Sequence, residues 1–172
     1  TLEAIKIARE NGAIISCDPN LRLPLWPSEE KAREILRLAI SQADVVKMSD
    51  EEITFVSGED DLEEGIKDLW CDQWRAMIVT YGPKGSRYIT PAFDGFVPSF
   101  EITAVDATGA GDGCTAGFLS RLLKDPELLG SEDKLANACR FANAVGAITA
   151  TKRGAINALP TEKEVEDFLA AR

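Results

Sequence analysis

Gly109-Ala110-Gly111-Asp112-Gly113 combines residue types suited to chemistry at short spacing. Glycines let the backbone take positive φ and approach a ligand closely. A helix opening here would present the unpaired N–H groups of its first turn as an anion hole. An aspartate on that turn could accept a proton from an attacking hydroxyl, and phosphoryl transfer requires little beyond positioning, charge stabilisation and a base. The same residues also suit a plain helix start whose aspartate answers the macrodipole, so the segment alone leaves both readings open. No GxxxxGK[ST] loop occurs. Gly109-x-Gly111-x-x-Cys114 approaches a dinucleotide fingerprint, which needs a second strand ending in an acidic residue about 20 residues on. Residues 122–131, with Pro126 and Gly130, read as a loop instead. The sequence has no histidine, which removes Ser-His-Asp, Cys-His and HExxH chemistry from this chain and leaves acid–base work to Asp, Glu or Lys.

Two further polar clusters accompany this loop: Asp18-Pro19-Asn20-Leu21-Arg22, and Lys47 through Ser49 to Glu52. Periodicity and turn residues predict the elements that must position them. Helices are expected over 2–10, 28–42, from 49, 61–70, 111–124, 131–151 and from 161; strands are expected over 13–17, 44–48, 76–81 and 86–90. Residues 92–104 read as extended, with Asp94-Gly95 as a hairpin signal, and Gly82-Pro83-Lys84-Gly85 as a turn. Ser28 can cap a helix, and Thr161 with Glu164 fits a capping box; Ser49 with Glu52 fits one as well. Strands alternating with helices predict an α/β fold, a three-layer α/β/α arrangement with a mostly parallel sheet and one hairpin region between residues 81 and 104. Ligands of such sheets sit beyond the C-terminal strand ends, where all three clusters are expected. No repeat or linker interrupts 1–172, which reads as one domain.

A net charge of −10 argues against nucleic acid or an anionic membrane as partner, since both require a basic face. A nucleotide can still bind where the site supplies local positive potential. No apolar run approaches the ~18 residues of a membrane span. The four cysteines, Cys17, Cys71, Cys114 and Cys139, lack CxxC spacing and sit in apolar segments; they read as buried, reduced thiols of a cytoplasmic protein. Trp26, Trp70 and Trp74 read as core or interface. No n-region and h-region open the chain, and residues 1–11 read as a helix already under way, so a missing natural beginning is expected.

Several stretches, taken in order, carry a family resemblance. They are Cys17-Asp18-Pro19-Asn20-Leu21-Arg22-Leu23-Pro24-Leu25-Trp26, Val46-Lys47-Met48-Ser49-Asp50-Glu51-Glu52, Thr80-Tyr81-Gly82-Pro83-Lys84-Gly85, Asp106-Ala107-Thr108-Gly109-Ala110-Gly111-Asp112, and Thr149-Ala150-Thr151-Lys152-Arg153-Gly154-Ala155-Ile156-Asn157-Ala158-Leu159-Pro160. Together they resemble the PfkB (ribokinase-like) carbohydrate kinases, most nearly the fructokinases, across nearly the whole chain. The resemblance implies a C-terminal portion of the ribokinase-like sandwich, with the N-terminal strands, the lid and most sugar contacts absent. It implies transfer of the ATP γ-phosphate to a sugar hydroxyl, with fructose as acceptor and ribose, 2-keto-3-deoxygluconate or a nucleoside as alternatives; a non-catalytic nucleotide-binding fragment is a further one. Asp112 becomes the general base, and Gly109, Ala110 and Gly111 the anion hole, with Arg22 reaching phosphate oxygens. Lys47, Thr80, Gly82, Gly85 and Asn143 fall on the ATP side, and Asp18 and Asn20 on the sugar side. Glu52 would orient Mg²⁺-bound waters, although Ser49 stands where many relatives have Asn. Asp106, Thr108, Thr149, Lys152 and Gly154 would surround a K⁺ ion, partly through backbone. The implied partners are sugar, ATP, the missing half of the kinase and a second copy in a homodimer.

Overall fold

The computed structural model describes residues 1–172, which form two compact units, Thr1–Thr80 and Tyr81–Arg172. The first holds parallel strands β1 (Ser16–Cys17), β2 (Val45–Ser49) and β3 (Ala76–Thr80), with Ser16 opposite Val45 and Val45 opposite Ala76. Val45, Val46, Met48, Ala76, Met77, Ile78 and Val79 are all buried, the near-continuous apolar run of parallel strands covered on both faces. Helices α1 (Leu2–Glu10), α2 (Glu29–Ile40), α3 (Asp50–Ser57) and α4 (Leu62–Leu69) complete the unit.

Local side-chain chemistry sets the starts of these helices. Ser28 Oγ accepts from Lys31 N–H and Asp61 from Glu64 N–H, while Ser49 and Glu52 form a reciprocal capping box on α3, each satisfying donors a helix start leaves orphaned. At the other end of α3, two arginines of α2 take up the free carbonyls: Arg33 donates to Phe55, and Arg37 to Val56 and Ser57. Trp74 is fully buried and its indole N–H donates to the Ile40 carbonyl, as expected for a core tryptophan. The first strand is shorter than 13–17: Asp44 Oδ2 takes the Ile15 N–H at 2.7 Å, so the ladder starts only at Ser16.

The second unit holds antiparallel strands β4 (Gly85–Ile89) and β5 (Asp94–Pro98) with helices α5 (Ala110–Lys124), α6 (Glu132–Ala150) and α7 (Glu162–Ala170). Asp94-Gly95 is not the hairpin turn. Both residues lie in β5, opposite Ile89 and Tyr88, and the chain reverses at Thr90-Pro91-Ala92-Phe93. There Thr90 Oγ1 accepts from the N–H groups of Ala92 and Phe93 while Thr90 N–H donates to Phe93, a hydroxyl-built turn. Residues 99–109 carry no strand. Helix α6 is buried along most of its length, and Phe141, Ala144, Val145 and Ile148 pack with Val165 of α7 and the half-buried Phe100 and Phe168. All four cysteines are free; Cys114 and Cys139 are buried as expected, whereas Cys17 and Cys71 are only half-buried. No helix is long and apolar enough to cross a membrane.

Candidate active site

The 106–112 loop opens α5, though irregular chain rather than a strand leads into it. Gly109 caps the helix with φ of 80°, a left-handed conformation that suits glycine. A Cβ there would also lie 2.8 Å from Ala155 Cβ. Gly113 N–H makes the first helical bond, to Gly109 O, so the N–H groups of Gly111 and Asp112 have no intrahelical acceptor. Ala110 N–H is turned back to the Ala107 carbonyl at 3.1 Å, so of the three amides expected to form the anion hole this one already has a backbone acceptor. The Asp112 side chain is exposed in this first turn.

Asp106 fastens the loop down. Its Oδ1 accepts from Thr108 N–H at 2.9 Å and its Oδ2 from Gly154 N–H at 3.0 Å, while Val105 and Asp106 N–H donate to the Ala150 carbonyl. The Thr108 hydroxyl, then the Gly154 and Thr108 amides, hold its carboxyl down at about 2, as hydrogen bonding to the charged form does. The segment after α6 is thereby tied to the start of α5.

In the first unit, Glu52 does comparable work. Oε2 accepts from Ser49 N–H and Oε1 from Leu21 N–H at 2.8 Å, so the capping carboxylate also pins the 18–22 loop. Within that loop Asn20 has φ of 47°, a conformation Asn tolerates better than most residues. Arg22 is exposed and donates to the Leu21 carbonyl. Asp18 and Lys47 form an ion pair at 3.2 Å with little of either side chain exposed. The Lys47 ammonium, expected on the ATP side, thus faces Asp18 in this structure. Cys17 beside them is pushed up to about 11, by burial first and then by Asp18 and Glu52, and is a poor nucleophile at neutral pH.

Other expected site residues have structural partners. Asn143, expected to contact adenine or ribose, is buried and its amide nitrogen donates to the Val97 and Pro98 carbonyls of β5. The Thr149 side chain is fully buried with its hydroxyl bonded to Val145 O, and the Lys152 ammonium faces Glu164 of α7, so only their backbones could face an ion. Thr80 Oγ1 makes a long 3.4 Å bond to Met48 O. Gly82 (φ 55°) and Gly85 (φ 134°) shape the turn before β4, and a Cβ on Gly85 would meet the Val97 carbonyl at 2.2 Å. Backbone packing alone therefore requires a glycine at 85.

The donor set bears on the two implied cations. No group of three or more His, Cys, Asp or Glu side chains is gathered in the structure. Glu52 and Asp106 each have one N–H on each oxygen, and an ionised carboxylate keeps further lone pairs. Glu52 fits water-mediated contact with Mg²⁺, which retains its waters, and Asp106 with nearby carbonyls fits a weakly held monovalent ion.

A left-handed glycine, unpaired helix-start amides and an exposed aspartate thus stand together at the start of α5 in an α/β chain. The chain matches the pfkB family carbohydrate kinase domain over residues 1–162 and belongs to that family. It is 48% identical to fructokinase-1 of Zea mays across 95% of this chain and 51% of that protein. Among solved structures, a fructokinase double mutant from Vibrio cholerae O395, bound to fructose, ADP and potassium ion, superposes with a TM-score of 0.91 at 34% identity, covering 98% of this chain and 54% of that one. Aminoimidazole riboside kinase from Salmonella enterica, complexed with its riboside and an ATP analog, gives a TM-score of 0.86 at 31% identity over 98% and 56%. The chain thus spans about half the length of the relatives it matches, with the ribokinase-like fold expected from its sequence.

Proposed function

We propose that the whole protein transfers the γ-phosphoryl group of ATP to the primary hydroxyl of D-fructose, giving fructose 6-phosphate and ADP. Asp112 takes the hydroxyl proton as the new P–O bond forms and the bond between the γ-phosphorus and the β-bridging oxygen breaks. The free N–H groups at the start of α5 receive the transferring phosphoryl oxygens, and Arg22 supplies a further positive charge for phosphate. Asp18 and Asn20 lie on the sugar side; Thr80, Gly82 and Gly85 lie on the nucleotide side. Asp106, with backbone at 108, 149, 152 and 154, would hold K⁺, and Glu52 would hold Mg²⁺ through water. Bound cations would supply neutralising charge near the nucleotide phosphates. The four free cysteines suit a cytoplasmic setting.

The observation that carries this reading is the exposed Asp112 on the same helical turn as unpaired N–H groups, so base and anion hole come from one rigid element. Fructose as acceptor rests on likeness to the maize and Vibrio fructokinases. A nucleoside acceptor is the second reading, favoured by the likeness to the riboside kinase. The test is acceptor-dependent ADP release by the full-length protein with Mg²⁺ and K⁺ against fructose, ribose, 2-keto-3-deoxygluconate and a nucleoside. Fructose is expected to give the highest kcat/KM. A higher value for another acceptor replaces fructose, and release that no acceptor stimulates removes the proposal.

A further inference from the structure

At the far end of α5 from the glycine loop, roughly 13 Å along the helix axis at 1.5 Å per residue, the second unit carries a groove of about 430 Å³. That volume lies in the range of small-molecule sites. Its apolar lining includes Phe141 and Leu169, and its basic lining comes from Arg121 and Lys124 on α5 and Lys134 and Arg140 on α6. Four cations around one groove are out of character for a chain of net charge −10.

Their own partners neutralise them incompletely. One carboxylate, Glu162, serves both Arg121, at 3.2 Å, and Lys124, while Glu166 reaches Arg121 only at 4.0 Å. Lys134 pairs with Asp125. Arg140 faces the Phe100 ring at 4.9 Å, a contact that leaves its charge uncompensated by any acid. Arg121 is stacked 3.6 Å over Phe141, which fixes the guanidinium plane against the apolar floor.

We infer that this groove is a second binding site, for a small phosphate monoester with an apolar or aromatic body. The phosphate draws on Lys124, Lys134 and Arg140, competing with Glu162 for Lys124 and with Asp125 for Lys134, and the body lies over the floor. A doubly charged phosphate fits several converging cations better than a single carboxylate does. The site owes nothing to the phosphoryl-transfer reading and stands if that reading fails.

Phenyl phosphate and inorganic phosphate, titrated by calorimetry into the full chain at low salt, test the inference. Phenyl phosphate is expected to bind saturably and more tightly than inorganic phosphate. Lys134→Ala with Arg140→Ala should weaken it about tenfold or more, and Glu162→Gln should tighten it about threefold, since a competing charge is removed. Glu162 is exposed, so a gain on its replacement cannot come from misfolding and decides the matter even if the double variant folds poorly. Absence of saturable binding, binding indifferent to both changes, or weaker binding in Glu162→Gln overturns the site.

Discussion

In the first unit Glu52 reaches 31 residues back to hold the N–H of Leu21; in the second, Asp106 reaches 48 residues forward to hold the N–H of Gly154. Each carboxylate also takes a near amide, Ser49 in one case and Thr108 in the other, so both loops are pinned by the same device. What each loop then offers differs. In the first unit Lys47 and Asp18 neutralise one another, leaving Arg22 as the exposed charge. In the second, the carboxylate that positions and the one that stands exposed are separate residues, Asp106 and Asp112. One loop is mostly scaffold with an exposed cation at its edge; the other separates the anchoring carboxylate from the exposed one within seven residues. Such a division lets a reactive group keep its lone pairs without loosening the backbone around it.

The sharpest test of that division is Asp112→Asn. It should lower kcat by about 10²–10⁴, the range of a lost general base, while the unfolding free energy moves by less than about 0.5 kcal/mol as for other exposed sites. Near-normal kcat in ADP release would end the distinction between the two aspartates. Gly109→Ala should act on both quantities, costing about 1–3 kcal/mol for an alanine held at positive φ and more if Ala155, 2.8 Å from the new methyl, has no room to yield. Urea denaturation checks this, and a variant as stable as the parent would show that the loop start is softer than its geometry implies. Glu52→Gln should cost about 0.5–2 kcal/mol as a weakened cap and raise KM for ATP more than it lowers kcat, because the 18–22 loop loses its anchor. An equal loss in Arg22→Ala and in the double variant would tie the effect to the loop; additive losses would separate them.

Legibility followed the range of the interactions. Helix starts were readable because Ser28, Ser49 with Glu52, and Thr161 with Glu164 bond amides only three residues away. The start of α5 and its exposed aspartate were readable for the same reason, and the order of motifs supplied the family. Contacts across the chain were not. Nothing in the sequence says that Asp44 displaces the first rung of β1, or that Asn143 spends its amide on carbonyls 45 and 46 residues earlier. A small-residue helix around Asn143 suits close packing and ligand approach equally, and the structure shows packing. Asp94-Gly95 misled because its turn propensity is local and statistical. The Thr90 hydroxyl, the Arg87–Asp94 pair and the close seat of Gly95 under the Tyr88 ring, where a Cβ would meet the phenolic oxygen at 2.2 Å, put both residues in the strand instead. The turn of the Ala110 N–H back to the Ala107 carbonyl was equally hidden, because a helix start identifies its orphan donors only after the residues before it have taken their share.

The smallest expected effect concerns Asp106 and has a sign that can be checked. Its carboxyl lies at about 2 in the folded chain against an ordinary 3.8. A folded value below the unfolded one means that the unfolded chain binds the proton more readily, so the carboxylate's contribution is complete above about pH 4 and is lost as pH falls through about 2. Asp106→Asn removes that contribution at every pH. The parent should therefore be more stable than the variant at pH 6, and the gap should narrow from about pH 4 downward and close near pH 2. Urea unfolding followed by far-ultraviolet circular dichroism across that range measures the gap. Convergence identifies the bonds to Thr108 and Gly154 as charge-assisted; a constant offset would mean that Asp106 holds the loop by shape alone, and the likeness to Glu52 would then be one of geometry without shared electrostatics.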